Sequence, residues 1–137
     1  MYIPRNSKFK KQQKGKHFNR IYRNNSLNKL HFGSVGLKAL SFNRLTSKQI
    51  ETLRKTLNKL VKKTGRLVIH AFPNVPVSQK PLEIRMGKGK GNVDRWEFKV
   101  KPGFILCEII TDQIEIAKKA LTLIKKRMNI KTRIIVN

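Results

Sequence analysis

From Arg85 to Asn92 the chain reads Arg-Met-Gly-Lys-Gly-Lys-Gly-Asn, so glycines at 87, 89 and 91 alternate with Lys88 and Lys90. Residues without a Cβ let the backbone enter positive φ and come very close to a partner. Such a stretch adds nothing to a core, but its N–H groups and ammonium heads can meet one row of phosphate oxygens. A solvated hairpin loop that is merely basic is the plainer alternative. Nucleotide cradles are excluded by spelling. A P-loop requires G-x-x-x-x-G-K-[ST], whereas Gly91 is followed by Asn92 and Val93, and the spacing G-x-G-x-G is not the dinucleotide fingerprint. The residues beyond the loop read as a strand, so no helix N-terminus is available to receive a pyrophosphate. A nucleic-acid backbone fits this stretch best.

The composition points the same way. Lys and Arg total 32 against 7 acidic residues, which gives a formal net charge of +25 and a pI near 11.0. A free protein with that charge repels itself, so a stoichiometric polyanion is expected beside it. At 137 residues the chain is long enough for one domain with a modest core. No apolar run approaches the roughly 18 residues of a membrane span, so no membrane partner is expected. The opening segment is too polar for a signal peptide. The single cysteine, Cys107, excludes an internal disulfide and lies in an apolar run, where a buried thiol is the ordinary state. His17, His31 and His70 have no ligand-like spacing, so no metal site is expected. There is no Ser/His/Asp set, no carboxylate pair and no cofactor motif, and an enzyme is not expected. Lys outnumbers Arg, and Ile and Asn are common, as in genes of AT-rich organelles or AT-rich bacteria.

Two regions differ in character. Residues 1–30 contain no acid, and the first acidic residue of the chain is Glu51. Arg5, Lys8, Lys10, Lys11, Lys14, Lys16, Arg20 and Arg23 are spaced along this tail, with Tyr2, Phe9, Phe18 and Tyr22 between them. Too little apolar surface is present to offset the entropy of ordering it, so disorder is expected until a polyanion is bound. The interleaved rings suit stacking on bases while the cations follow phosphates. A cleavable mitochondrial presequence is the alternative, although no amphipathic helix is evident. Residues 31–137 carry the folded pattern.

Within that region His31–Phe42 reads as a short, irregular strand. Thr46-Ser47-Lys48-Gln49 fits a capping box and opens a helix with Ile50, Leu53, Leu57, Leu60 and Val61 on one stripe, ended by Gly65 as a C′ residue. Arg54, Lys55, Lys59, Lys62 and Lys63 fall on its other faces. Arg66–Phe72 reads as a central strand containing a core or edge His70. Pro73, Pro76 and Pro81 then make a stiff, extended connection to the glycine loop. Val93–Val100 alternates as a half-buried strand with Trp96 and Phe98 inward. Lys101-Pro102-Gly103 is a turn, and Phe104–Ile110 is an apolar strand interrupted by Glu108, which suggests a hairpin. Asp112-Gln113-Ile114-Glu115 suggests a second capping box, before a helix with Ala117, Ala120, Leu121 and Ile124 inward and Lys118, Lys119, Lys125, Lys126 and Arg127 outward. Lys131–Val136 is a final strand. The class is α+β: two amphipathic helices on one face of a mixed β-sheet.

These segments together resemble the family of universal large-ribosomal-subunit protein sixteen, of the bacterial and organellar type, over essentially the whole chain. The likeness rests on Pro4-Arg5 through Lys14-Gly15, Phe32-Gly33-Ser34-Val35-Gly36-Leu37-Lys38-Ala39 and Leu45-Thr46-Ser47-Lys48-Gln49-Ile50-Glu51. It continues through Phe72-Pro73, Lys80-Pro81, Arg85–Val93, Lys101-Pro102-Gly103 and Lys131-Thr132. The resemblance implies an α/β-hammerhead fold and a structural role in the large subunit. It also implies partners: large-subunit rRNA, A-site tRNA near the peptidyl-transferase centre, and neighbouring large-subunit proteins. With the composition, it suggests a mitochondrial ribosome, a plastid or the bacterial cytoplasm being the alternatives. On this reading Arg85, Lys88 and Lys90 clamp phosphates, while Gly87, Gly89 and Gly91, flanked by Met86 and Asn92, allow close approach. Arg5, Lys8, Lys10, Lys11, Lys14, Lys16 and Arg20 thread between rRNA helices. The family's Leu-Pro-Ile before Lys-Thr is replaced here by Met128-Asn129-Ile130, and losing the proline permits a longer second helix. A DNA-binding nucleoid protein is the rival reading, weakened by helices that offer lysines rather than base-reading side chains. An RNA-modifying enzyme comes third.

Overall fold

The computed structural model describes residues 3–13 and 29–137. Among these, strands β1 (Val35–Ala39) and β2 (Asn43–Thr46) precede helix α1 (Ser47–Val61). Strands β3 (Gly65–Ile69), β4 (Val75–Gln79), β5 (Asn92–Val100) and β6 (Ile105–Thr111) follow. Helix α2 (Ile114–Arg127) and β7 (Thr132–Val136) complete the chain. The α+β class expected from the pattern is present. The single mixed sheet is instead two antiparallel sheets, ordered β3-β6-β1-β7 and β2-β5-β4.

Both helices pack against each other and cover one face of the four-stranded sheet, while α1 also reaches β2 and β5. Alternation on β1 sends Val35, Leu37 and Ala39 into that core, where they meet Ile50, Leu53, Leu57 and Val61 of α1. Ala117, Ala120, Leu121 and Ile124 of α2 close it from the other side. Leu60, grouped with the α1 stripe by spacing, is exposed, because the helix turns that position away from the sheet. The α1 capping box forms as expected: Gln49 N donates to Thr46 Oγ1 and Thr46 N to Gln49 Oε1.

Several local expectations give way to tertiary context. Gly65 does not end α1. The helix is capped at Lys62, and Gly65 opens β3, where a Cβ would lie 2.3 Å from the Ile110 carbonyl oxygen. Its missing side chain serves close strand packing rather than a left-handed turn. β3 lies at the edge of its sheet rather than in the centre, and the centre is taken by β6. The proline-rich connection contains a strand. Pro76 pairs with Trp96 on β4, an edge strand, where a missing N–H is tolerated. The Lys101-Pro102-Gly103 turn exists, with Gly103 at φ 89, but it joins strands of different sheets and makes no hairpin. The hairpin is β4–β5, and the glycine loop is its connection. Asp112 forms no cap: α2 begins after Gln113, whose N–H donates to Thr111 Oγ1 at 3.1 Å. The helix also stops at Arg127, with Met128 already extended, so the absent proline does not lengthen it.

β6 carries a fully buried acid. Glu108 is 0% exposed, and its carboxylate accepts from the N–H groups of His31 (3.1 Å), Phe32 (2.7 Å) and Gly33 (2.8 Å). His70 Nε2 lies 3.0 Å from its other oxygen. Burial by itself pushes this carboxyl up, but the N–H groups of Phe32, Gly33 and His31 with His70 outweigh it and hold the group below the ordinary carboxylate range. A Cβ on Gly33 would stand 2.8 Å from the Ile109 carbonyl oxygen, so only glycine brings that N–H so near. Next to this carboxylate, burial pushes the Cys107 thiol up to about 12, and the sulfur stays protonated.

Glu108→Ala is expected to destabilise the fold by about 3–5 kcal/mol, because buried donors lose their charged acceptor. A carboxyl with a lowered folded pKa contributes stability above its unfolded pKa of about 4.3 and loses it as pH falls through the folded value. Urea unfolding across acidic pH should therefore show an acid-side decline that is flatter in Glu108→Gln. Equal acid sensitivity in both proteins would place the acid effect elsewhere.

Candidate nucleic-acid interface

The glycine loop leaves β4 at Lys80 and returns at Gly91. Residues 81–90 are all exposed. Three consecutive residues sit at positive φ: Gly87 at 105, Lys88 at 52 and Gly89 at 91. For Lys88 this left-handed conformation costs roughly 1–2 kcal/mol, and the flanking glycines let it occur without a longer strained run. Lys80 Nζ donates to the Gly87 carbonyl oxygen and braces the loop from its base. A Cβ on Gly87 or Gly89 would meet nothing within 4 Å, whereas one on Gly91 would stand 2.4 Å from the Gln79 carbonyl oxygen. The three glycines thus do different work. Gly87 and Gly89 set conformation, and Gly91 lets the two strands meet at the loop's neck.

The described part of the tail, residues 3–13, comes to this loop. Lys11 Nζ donates to the Lys90 carbonyl oxygen at 2.9 Å, and Lys90 Nζ donates to the Gln12 carbonyl oxygen. At its other end Ile3 lines a cleft with Ser47 and Lys48 of α1 and with Trp96 of β5. Arg5, Lys8, Lys10 and Lys11 are exposed between these two points, and the Lys8 ammonium lies 5.7 Å from the Phe9 ring centroid. Lys14, Lys16 and Arg20, expected to belong to the same surface, lie outside the described residues. Arg85, Lys88 and Asn92 are exposed on the loop, and Asn92 pairs with Gln79 as the first residue of β5.

The loop also displays apolar side chains that its glycine pattern does not announce. Leu82 is 99% exposed and Met86 98%, with Ile84 more than half exposed. Leu82 and Ile84 stand among polar neighbours where a solvated loop has no use for them, and that was the legible signal; nothing linear points to Lys80. Beyond the loop, α2 presents Lys119, Lys125, Lys126 and Arg127 outward. Glu97, by alternation an outward residue, is nearly buried beneath Arg95 (2.8 Å) and Arg44 (3.4 Å). One of the few acids is thereby neutralised. Among the described residues no cluster of His, Cys, Asp and Glu is arranged to hold a metal ion, and no helix is long and apolar enough to cross a membrane.

Comparison with known proteins matches residues 4–135 to the family described as ribosomal protein L16p/L10e. The chain is 43% identical over 135 residues to the large ribosomal subunit protein uL16 of Sulfurovum sp. (strain NBC37-1), covering 98% of this chain and 94% of that one. It is 46% identical to uL16 of Azorhizobium caulinodans and 41% identical to uL16 of Psychrobacter arcticus, each over 98% of this chain and 96% of the relative.

The different work of the glycines is separable by substitution. Gly91→Val should destabilise the protein by about 1–3 kcal/mol, because its side chain collides with backbone at the hairpin neck. Gly89→Val should lose stability through backbone strain alone, about 1–2 kcal/mol at most, because φ is 91 there but the side chain meets nothing within 4 Å. Thermal unfolding of the two variants decides the matter, and equal losses would mean the loop tip is itself part of the folded core.

Proposed function

The chain belongs to the ribosomal protein L16p/L10e family, and from that membership we propose that its glycine loop and basic tail form one phosphate-binding edge on large-subunit rRNA, turned toward the A-site tRNA cleft. It is a structural constituent of the large ribosomal subunit and not an enzyme, with rRNA and other ribosomal proteins as partners. Family membership also sets aside the nucleoid reading.

One observation carries the proposal. Lys11 and Lys90 exchange hydrogen bonds with each other's backbone segment, so cations far apart in sequence share one exposed edge. Phosphates following that edge meet Lys8, Lys10 and Lys11 on one side and Arg85, Lys88 and Lys90 on the other. Gly87, Gly89 and Gly91 remove side chains that would hold the loop's N–H groups away, and Met86 and Asn92 bound the stretch. Lys14, Lys16 and Arg20 would extend the same track along a tail of residues 1–30, with residues 31–137 as the folded body. The tRNA arm rests on the exposed loop tip, since a side with so few acids suits any RNA passing it. A mitochondrial setting rests on the Lys-, Ile- and Asn-rich composition alone, and the matching relatives named above are bacterial.

Salt titration tests the phosphate edge. If about 6–10 phosphates are neutralised, log affinity for large-subunit rRNA falls against log salt with a slope of about −0.7 to −0.9 per contact. Lys88→Ala and Lys90→Ala should each reduce that slope by about 1. An unchanged slope in both variants would remove the loop from the interface. For the tRNA arm, subunits carrying Gly89→Val should assemble normally and bind A-site tRNA less well; normal tRNA binding would reduce the loop to a linker.

A further inference from the structure

The face of the four-stranded sheet opposite the helices is not used by the edge just described. Glu108 lies on it, paired across the ladders with Val68 and Gly36, and the incoming residues 31–33 cross over it, held by the three N–H bonds to that carboxylate. Alternation places Arg66 of β3 and Arg133 of β7 on the same face, both exposed. On this face Phe32 is 66% exposed, and its ring stacks on the His70 imidazole, with centroids 6.3 Å apart and planes 22° apart. His70 is in turn fixed by Glu108 at 3.0 Å. A ring two-thirds in water gains little from folding, yet here its backbone and its stacking partner are both anchored on one buried carboxylate. This is an anchored aromatic platform on a sheet face that also carries Arg66 and Arg133 on its two edge strands.

We infer that this platform receives an unpaired nucleobase of large-subunit rRNA, stacked on Phe32 with the neighbouring phosphates held by Arg66 and Arg133. The inference rests on the rRNA-binding reading and adds a second contact of a different kind. Single-stranded bases are bound in this way, by aromatic stacking on a sheet with cations alongside. The charge decides against an apolar protein partner: the same face exposes Arg66 and Arg133 in a chain of net charge +25.

The test uses the full-length protein and large-subunit rRNA freed of proteins, with Phe32→Ala, Phe32→Leu and Phe32→Tyr. Phe32→Ala keeps the N–H bond to Glu108, so its thermal unfolding should match the parent. Its affinity for the rRNA should fall about 5- to 150-fold, the range for loss of one base–aromatic stack, with the salt slope unchanged because no charge is removed. Phe32→Leu should lose as much, since it keeps apolar bulk without a π face, and Phe32→Tyr should bind like the parent. Ultraviolet crosslinking of native subunits should leave a nucleotide adduct on the peptide containing Phe32. Parental binding by Phe32→Ala overturns the inference while leaving the phosphate edge standing. So does a loss in intact subunits that is absent on protein-free rRNA, which would assign the ring to a protein neighbour. Failure of the parent itself to bind that rRNA would instead overturn the underlying reading.

Discussion

A carboxylate buried in the middle of a sheet is tolerable only when its charge is fully answered, and Glu108 is answered by three backbone N–H groups and one imidazole. The constraint works in both directions. The carboxylate needs those donors, and residues 31–33 have no regular strand of their own to satisfy theirs. The bond pattern therefore sets where the basic tail meets the body, how close β1 starts to β6 and which way Phe32 and His70 face. An apolar residue at 108 would leave the helices and the core intact in composition, but residues 31–33 would lose their attachment to β6.

Much of this architecture is legible in the sequence. Thr46 and Gln49 announce the first helix, and the spacing of Ala117, Leu121 and Ile124 announces the inner face of the second. What periodicity cannot express is pairing between distant segments. Glu108 appears as an interruption in an apolar run, and nothing local shows that its three N–H donors lie 75 to 77 residues upstream and His70 38. Gly65 looks like a helix stop because most glycines in that position are; its actual reason is the Ile110 carbonyl on the adjacent strand. The turn at Pro102 and Gly103 has hairpin chemistry, and only the two-sheet arrangement shows that its strands part company. The site divides in the same way. The loop's glycines and lysines are evident from spelling, whereas its contact with Lys11 and Gln12 and its bracing by Lys80 are tertiary facts.

The loop's backbone also explains why its charges alternate with glycines rather than run together. Adjacent lysines on an extended strand would point to opposite sides. With positive φ at Gly87, Lys88 and Gly89 the chain departs from that alternation, so the exposed Lys88 and Lys90 are not held to opposite sides of a strand. Binding such a path costs little further ordering, because Lys80 below and the tail beside it already hold it.

The attachment at Glu108 has a consequence for the order of events while the chain is being made. Residues 31–33 leave the synthesising ribosome long before Glu108, 75 residues after Gly33, has been added. Until then no acceptor exists for their N–H groups, although the partners of residues 3–13, Lys90 and the cleft around Ser47 and Trp96, have already been made. Completion of β6 is the moment at which residues 31–33 are docked. Before it, the segment is available to any polyanion within reach; after it, the segment leaves the body from one fixed place.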